Sequence, residues 1–143
     1  MILLDVNVVL AAHRADHPQH RTVRTWFDEM LTGRQQFAVP DEVWASFVRV
    51  ATNRRIFPVP TPVSDAFAFV RSVRAQPAHS VLRSGPRRLE LFEQLCIEGQ
   101  ASGDLVPDAF LAALAIENGC VLASLDRDFA RFSNLEWQRP GAP

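Results

Sequence analysis

Short apolar runs alternate with longer segments of helical periodicity along this chain. The runs at 2–6 and 120–124 predict strands that are buried on both faces of a sheet, and further short strands are predicted at 37–39, 79–82 and 135–138. The periodic segments predict amphipathic helices, which begin at capping residues or prolines near 16–18, 41, 61–62, 85–86 and 107–108. Strands that alternate with helices predict a parallel sheet covered by helices. The predicted fold class is therefore α/β, with a central, mainly parallel sheet of four to five strands.

The length and composition favour one globular domain over residues 1–143. Apolar residues make up 48% of the chain and charged residues 22%, which are values of a folded protein rather than a disordered one. No apolar run approaches the roughly 18 residues that cross a bilayer, and Asp5 interrupts the first run without a basic segment before it. We therefore expect no signal peptide, no membrane span and a cytoplasmic location.

All fifteen basic residues are arginine, which excludes enzyme classes that need a lysine amine, such as P-loop and Schiff-base enzymes. Asp65 is the only acid between Glu42 and Glu90, so the middle of the chain is basic although the net charge is −1. A guanidinium group can bind a phosphate through two parallel hydrogen bonds. The alternative for each arginine is that it only lies on a solvent-exposed helix face. The candidates for contacts with nucleic-acid phosphates are Arg54, Arg55, Arg83, Arg87, Arg88 and Arg127.

Four acids lie where predicted strands end and predicted helices begin. Asp5 ends the first strand, Asp126 follows the 120–124 strand, and Glu42 and Asp108 lie in the first turns of two helices. Ligands of open α/β sheets bind in the crevice beyond the carboxyl ends of the strands. The helix dipole alone explains an acid in a first turn, but an unpaired charge in an apolar segment is costly. A shared site is the interpretation that accounts for Asp5.

Carboxylates gathered at one site require a counter-ion. Two carboxylates about 4 Å apart repel by about 4 kcal/mol at an effective dielectric constant of 20. A divalent cation between them makes the net electrostatic energy favourable. Oxygen ligands without a set of histidines or cysteines select hard ions, so the expected metal is Mg²⁺, with Mn²⁺ as a substitute. Two such ions would allow two-metal hydrolysis of a phosphodiester. Asn7 and Ser124 would then donate hydrogen bonds that orient the carboxylates.

These residues also follow the order and spacing of a known family. Asp5 and Asn7 form a DxN motif after the first strand, and Glu42 follows the second strand. Asp108 and Asp126 lie within the segment VPDAFLAALAIENGCVLASLDRDF. In this pattern the chain resembles the PIN-domain ribonucleases, and its closing FxRFxxLxW pattern is similar to that of the VapC toxins of bacterial toxin–antitoxin pairs. The resemblance implies a PIN-like three-layer α/β/α sandwich.

The resemblance also implies a role for each matching residue. The metal ligands and catalytic acids would be Asp5, Glu42, Asp108 and Asp126. Ser124 matches the hydroxyl residue before the last acid, and Asp128 is a further ligand, an outer group or the cap of the following short helix. Val6 replaces a threonine or serine that is frequent in the family, and Phe110 replaces a histidine. Neither difference removes a metal ligand, so both concern the positioning of the substrate.

The activity that the resemblance implies is that of a Mg²⁺-dependent endoribonuclease, the toxin of a type II pair, that cleaves structured tRNA or rRNA. Its partners would be a second copy in a homodimer and an antitoxin whose C-terminal segment, often with an arginine, enters the acidic site. The helices at 43–54 and 62–74 are candidates for the dimer face, and Trp44 and Val48 belong to such a surface, to an antitoxin groove or to the core. The alternative is a PIN-fold module that binds RNA or protein with little or no nuclease activity.

Overall fold

The structure is a computed structural model, and it describes residues 1–142. A parallel sheet of four strands forms its centre. The strands are β1 (Ile2–Leu4), β2 (Phe37–Ala38), β3 (Val121–Ala123) and β4 (Trp137–Gln138). Their order across the sheet is β2-β1-β3-β4, and every neighbouring pair is parallel. The two central strands, β1 and β3, therefore end at the same edge of the sheet.

Six α-helices and one 3₁₀ helix flank this sheet within the described residues. The helices are α1 (Val6–His13), α2 (His20–Thr32), α3 (Asp41–Ala51), α4 (Val63–Arg74), α5 (Arg88–Glu98) and α6 (Leu105–Glu117), and the 3₁₀ helix covers Arg127–Arg131. Helix α1 packs against α2 and α3, α3 packs against α4, and α5 packs on α6, which also contacts β3. The predicted α/β sandwich with a parallel sheet of four to five strands is confirmed. None of the described helices combines the length and the hydropathy of a transmembrane segment.

The central strands are apolar because helices cover both of their faces. Leu3, Leu4, Leu122 and Ala123 are fully buried, and only Val121 at the start of β3 is partly exposed, so the strands do not alternate between core and solvent. The sequence pattern thus identified β1 and β3 correctly but placed their ends too far along the chain. Residue Asp5 already caps α1, since its side chain accepts a hydrogen bond from the backbone N–H of Val6.

The predicted strand at 79–82 is wrong. Only an isolated bridge between Phe37 and His79 forms there, supported by the backbone hydrogen bond from Ser80 to the Phe37 carbonyl. Val81 then turns outwards and is 65% exposed. The four residues His-Ser-Val-Leu cannot form a full strand there, because β2 offers only two residues for pairing.

The starts of three helices differ from the prediction by two to four residues. Helix α2 begins at His20 rather than near Asp16, because Arg14 binds the Asp16 carboxylate at 2.6 Å and 2.9 Å and keeps it from capping. Helix α6 begins at Leu105 and includes Pro107 in its first turn, where proline removes no helical hydrogen bond. Helix α5 begins at Arg88, two residues after the proline that was expected to open it.

Trp44 is buried in the core, and part of its side chain also lines a depression on the α3–α4 face. It is 6% exposed and packs edge-on against Phe47 and Phe69 in an aromatic cluster between α3 and α4. Val48 is half-buried at the margin of this cluster, and Phe67 on α4 is 46% exposed. The α3–α4 face therefore keeps an apolar margin, and the homodimer there stays a prediction.

Candidate metal site at the carboxyl ends of the strands

Asp5 is buried where β1 ends, and its carboxylate is held by three hydrogen bonds. One oxygen accepts from the Val6 backbone at 2.7 Å. The other accepts from the Ser124 hydroxyl at 2.7 Å and from the Asn7 amide at 3.0 Å. The residue is only 6% exposed, yet the three donors replace the water that burial removes. The acid in the first apolar run is therefore tolerated partly through neutral donors, before any cation is considered.

Ser124 and Asn7 join the ends of β1 and β3 into one network. The Ser124 oxygen accepts hydrogen bonds from the Asn7 amide and from the Asp126 backbone, both at 3.0 Å. The Asn7 side-chain oxygen accepts from the backbone of Leu125 at 3.0 Å. These two side chains, which we predicted to orient the carboxylates, therefore also fix the turn that carries Asp126.

Asp126, and not Asp128, caps the 3₁₀ helix that follows β3. Its carboxylate accepts a hydrogen bond at 2.8 Å from the backbone of Asp128. Asp128 is exposed in the first turn of that helix. The interpretation of Asp128 as the cap is therefore wrong, because the carboxylate one position before the helix reaches the free N–H groups first.

Three of the predicted acids line one cavity of about 240 Å³. Asp5 enters it from the end of β1, Glu42 from the first turn of α3 and Asp108 from the first turn of α6. Apolar side chains complete the wall, among them Val43 and Leu111. Three carboxylates that are far apart in the sequence thus share one concave and largely apolar site.

The pKa values of the buried Asp5 and the half-buried Asp108 reflect this crowding of carboxylates. Burial raises the pKa of Asp5, and the negative charge of Asp126 raises it further, although its hydrogen bonds act in the opposite direction. Burial also raises the pKa of Asp108, to about 7, with added contributions from the charges of Asp5, Asp126 and Asp128. The site therefore disfavours its own negative charge and would be stabilised by a cation.

The metal-free protein should lose stability through Asp108 as the pH rises from about 4 to about 7. The unfolded chain releases this proton near 3.8, whereas the folded protein keeps it to about 7, so deprotonation favours unfolding across that window. We expect Asp108→Asn to gain stability relative to the wild type between pH 5 and pH 7.5, measured by urea unfolding in EDTA. Because both proteins contain Asp5, its titration contributes to both stabilities. A stability difference between the two proteins that did not change with pH would contradict the perturbed pKa of Asp108.

Arg88 does not lie on an exposed rim. It is 5% exposed, and its guanidinium forms an ion pair with Glu42 and stacks on the ring of Phe110 at 3.6 Å. The other arginines that were candidates for phosphate contacts are exposed: Arg54, Arg55, Arg83, Arg87 and Arg127. Sequence position alone could not separate Arg88 from its neighbour Arg87, because the difference arises from the direction in which α5 begins.

A groove that the sequence did not reveal lies at the β4 edge of the sheet. It has a volume of about 750 Å³, and the side chains that line it include Arg21, Trp26 and Arg139 and one acidic residue, Glu29. A smaller groove shares Arg139 with it and reaches Arg127, next to Asp126. The Arg139 guanidinium is fixed at 2.6 Å on the Leu125 carbonyl, just beyond the end of β4. Arg21 and Arg139 lie at opposite ends of the chain, so no local pattern could have paired them.

The donor set suits a hard divalent cation, since every acidic group at the cavity offers carboxylate oxygen. As the side chains stand, no three histidine, cysteine or acidic groups among residues 1–142 are arranged closely enough to hold a metal ion. Glu42 is engaged by Arg88. Asp126 is not part of the cavity wall, although its charge acts on Asp5 and Asp108. The ligand chemistry therefore fits the metal, and a bound ion would have to draw Glu42 towards the aspartates.

The sequence model of the PIN domain matches residues 2–135. The chain belongs to the PIN-domain family. It is 59% identical over 140 residues to ribonuclease VapC25 of Mycobacterium tuberculosis, covering 98% of this chain and 99% of that protein, and equally to ribonuclease VapC31. The crystal structure of VapBC2 from Rickettsia felis bound to a promoter DNA fragment superposes with a TM-score of 0.71 at 16% identity, covering 98% and 99% of the two chains.

These comparisons assign the chain to the VapC-type PIN domains, as its motifs indicated. Phe110 is one of the chain's two departures from the family pattern. The Arg88 guanidinium stacks on its ring, and the Phe110 carbonyl accepts hydrogen bonds from that arginine at 3.0 Å and 3.1 Å. Val6 forms part of the cavity wall beside Asp5. Both departures therefore lie at the site itself.

Proposed function

We propose that this VapC-type protein is a divalent-metal-dependent endoribonuclease that acts as the toxin of a toxin–antitoxin pair in the cytoplasm. The observation that carries the proposal is the single cavity lined by Asp5, Glu42 and Asp108 at the carboxyl edge of the sheet. The 59% identity to two proteins named ribonuclease VapC supports the reaction, and the fold shared with VapBC2 supports a protein antitoxin.

In this proposal Asp5 and Asp108 are the direct ligands of Mg²⁺ or Mn²⁺, and Glu42 and Asp126 complete the set. When bound, the metal supplies Lewis acidity at the phosphate and a water of lowered pKa. Ser124 and Asn7 keep the Asp5 carboxylate in one orientation through their hydrogen bonds. The apolar wall beside the acids would limit the access of water once a phosphodiester is bound, which strengthens electrostatic interactions with it.

The RNA would cross the carboxyl edge of the sheet between two basic regions. Arg127, Arg139 and Arg21 lie on the β4 side, where Trp26 offers a surface on which a base could stack. Arg83 and Arg87 precede α5 on the chain and are exposed. Because a nuclease must hold the strand on both sides of the bond it cuts, we propose these arginines as the phosphate contacts for a structured tRNA or rRNA.

The partner surface in this proposal is the apolar margin between α3 and α4. A depression of about 390 Å³ there is lined by Trp44, Val48, Phe67 and Val70. Val63 on the same helix as Phe67 is 57% exposed. Apolar side chains exposed on two adjacent helices suit a second copy of this chain in a homodimer.

Removal of divalent metal should abolish RNA cleavage but not RNA binding. Carboxylates that hold no cation repel the phosphate, whereas the arginines outside the cavity still attract it. Total cellular RNA incubated with the protein should yield discrete fragments in Mg²⁺, none in EDTA, and fragments again when Mn²⁺ is added in excess. Binding is followed by fluorescence anisotropy of a labelled RNA hairpin. Binding without metal-dependent fragments would instead indicate a PIN-fold binding module.

A further inference from the structure

Arg88 is a buried cation that contacts the wall of the acidic cavity. It is the first residue of α5, and it reaches Glu42 on α3 and Phe110 on α6. Four of its five N–H groups are used: one on Glu42, one on the Ser84 hydroxyl at 2.7 Å and two on the Phe110 carbonyl. The guanidinium is thus fixed in position and has little capacity left for an RNA phosphate.

The ion pair occupies the same carboxylate that the cavity offers to a metal. Glu42 lines the cavity together with Asp5 and Asp108, and Arg88 binds one of its two carboxylate oxygens. A divalent cation that used Glu42 would meet the positive charge of the guanidinium across a short distance. The Arg88 side chain is 7% exposed and that of Glu42 36%, so solvent screens this like-charge repulsion only in part.

We propose that Arg88 is a positioning residue that acts through Glu42: it orients this carboxylate and, as a competing counter-ion, lowers the affinity of the cavity for divalent metal. The inference rests on the proposed metal site. Because the chain supplies its own cation, the carboxylates of the metal-free protein are partly neutralised, and metal binding requires Glu42 to exchange partners. The arrangement would keep the site weakly loaded until metal, or metal together with substrate, displaces the arginine.

A purely structural role for Arg88 predicts the opposite effect on metal binding. If the residue only ties α5 to α3 and α6, its loss would loosen the cavity and weaken metal binding. If it competes with the metal, its loss strengthens metal binding even though the metal-free fold becomes less stable. The sign of the change in metal affinity therefore separates the two roles.

The test measures Mn²⁺ binding to the folded, EDTA-treated protein by electron paramagnetic resonance of free Mn²⁺. Arg88→Met should bind Mn²⁺ at least about tenfold more tightly. The repulsion between one charge and the double charge of the ion, some 10 Å apart at an effective dielectric constant of 20, would allow up to about 250-fold, and solvent screening lowers this. Arg88→Lys, which keeps the charge, should stay within about threefold of the wild type, since the charge and not the shape sets the competition. Arg71→Met removes the same charge from an exposed site on α4 and should change the affinity less than about twofold, because salt screens distant charges.

Unchanged or weaker Mn²⁺ binding by Arg88→Met would overturn the inference. If that variant does not fold, as judged by circular dichroism, Arg88→Gln replaces it, because glutamine is also neutral but can still donate to the Phe110 carbonyl. Asp108→Asn distinguishes this failure from failure of the metal site itself. If Asp108→Asn binds Mn²⁺ like the wild type, the metal site is wrong; if it binds weakly and Arg88→Met shows no gain, only the role of Arg88 is wrong.

Discussion

Asp108→Asn is expected to reduce RNA cleavage in Mg²⁺ by about a thousandfold, because a metal ligand at the phosphate contributes several kcal/mol to the transition state. Asparagine has the shape of aspartate but cannot supply the negative charge that the cation needs. The rate is measured from the release of fragments from a labelled RNA. Circular dichroism establishes that the variant is folded, and its stability in EDTA at neutral pH should not be lower than that of the wild type.

Asp104→Asn is the matched control for this loss. Asp104 lies at the N-cap position of the same helix, is exposed and makes no capping hydrogen bond through its side chain. The substitution removes one negative charge four residues before Asp108 and leaves the cavity wall unchanged, because Asp104 does not line the cavity. We expect cleavage within about twofold of the wild type, as for most exposed substitutions. Wild-type cleavage by Asp108→Asn would show that this carboxylate is not a metal ligand.

Phe47→Ala is expected to lower the free energy of unfolding by about 3–5 kcal/mol, the usual effect of deleting a buried phenylalanine. The ring is fully buried and contacts His13, Trp44 and Phe69 at centroid distances of 5.2, 5.8 and 5.4 Å. These contacts fix α3, the helix that carries Glu42, against α1 and α4. Urea unfolding followed by tryptophan fluorescence measures the loss.

Phe67→Ala provides the comparison on the neighbouring helix. Phe67 is 46% exposed and points to the margin of the α3–α4 face. Its removal should change the stability of the monomer by less than about 1 kcal/mol, since little of the ring is withdrawn from water. Equal losses for the two variants would mean that the aromatic cluster does not anchor α3.

The order of the secondary-structure elements follows from local patterns, and the exceptions have physical causes. Apolar runs and helical periodicity report how much of a segment is buried, so they identified β1, β3 and all of the longer helices. They could not show that 79–82 finds almost no partner strand, or that Arg14 withdraws Asp16 from its capping role. Both outcomes depend on contacts that a local pattern does not contain.

The sequence by itself determined that acids follow the strand ends and begin two helices, and parallel topology then brings Asp5, Glu42 and Asp108 to one edge. Only the tertiary structure decided what surrounds them. The Ser124 hydroxyl that holds Asp5 lies 119 residues away, and Arg88 reaches Glu42 across 46 residues. The reason is that burial and charge pairing are properties of neighbours in space, so an arginine that resembles its exposed neighbour in the sequence becomes the internal cation of the site.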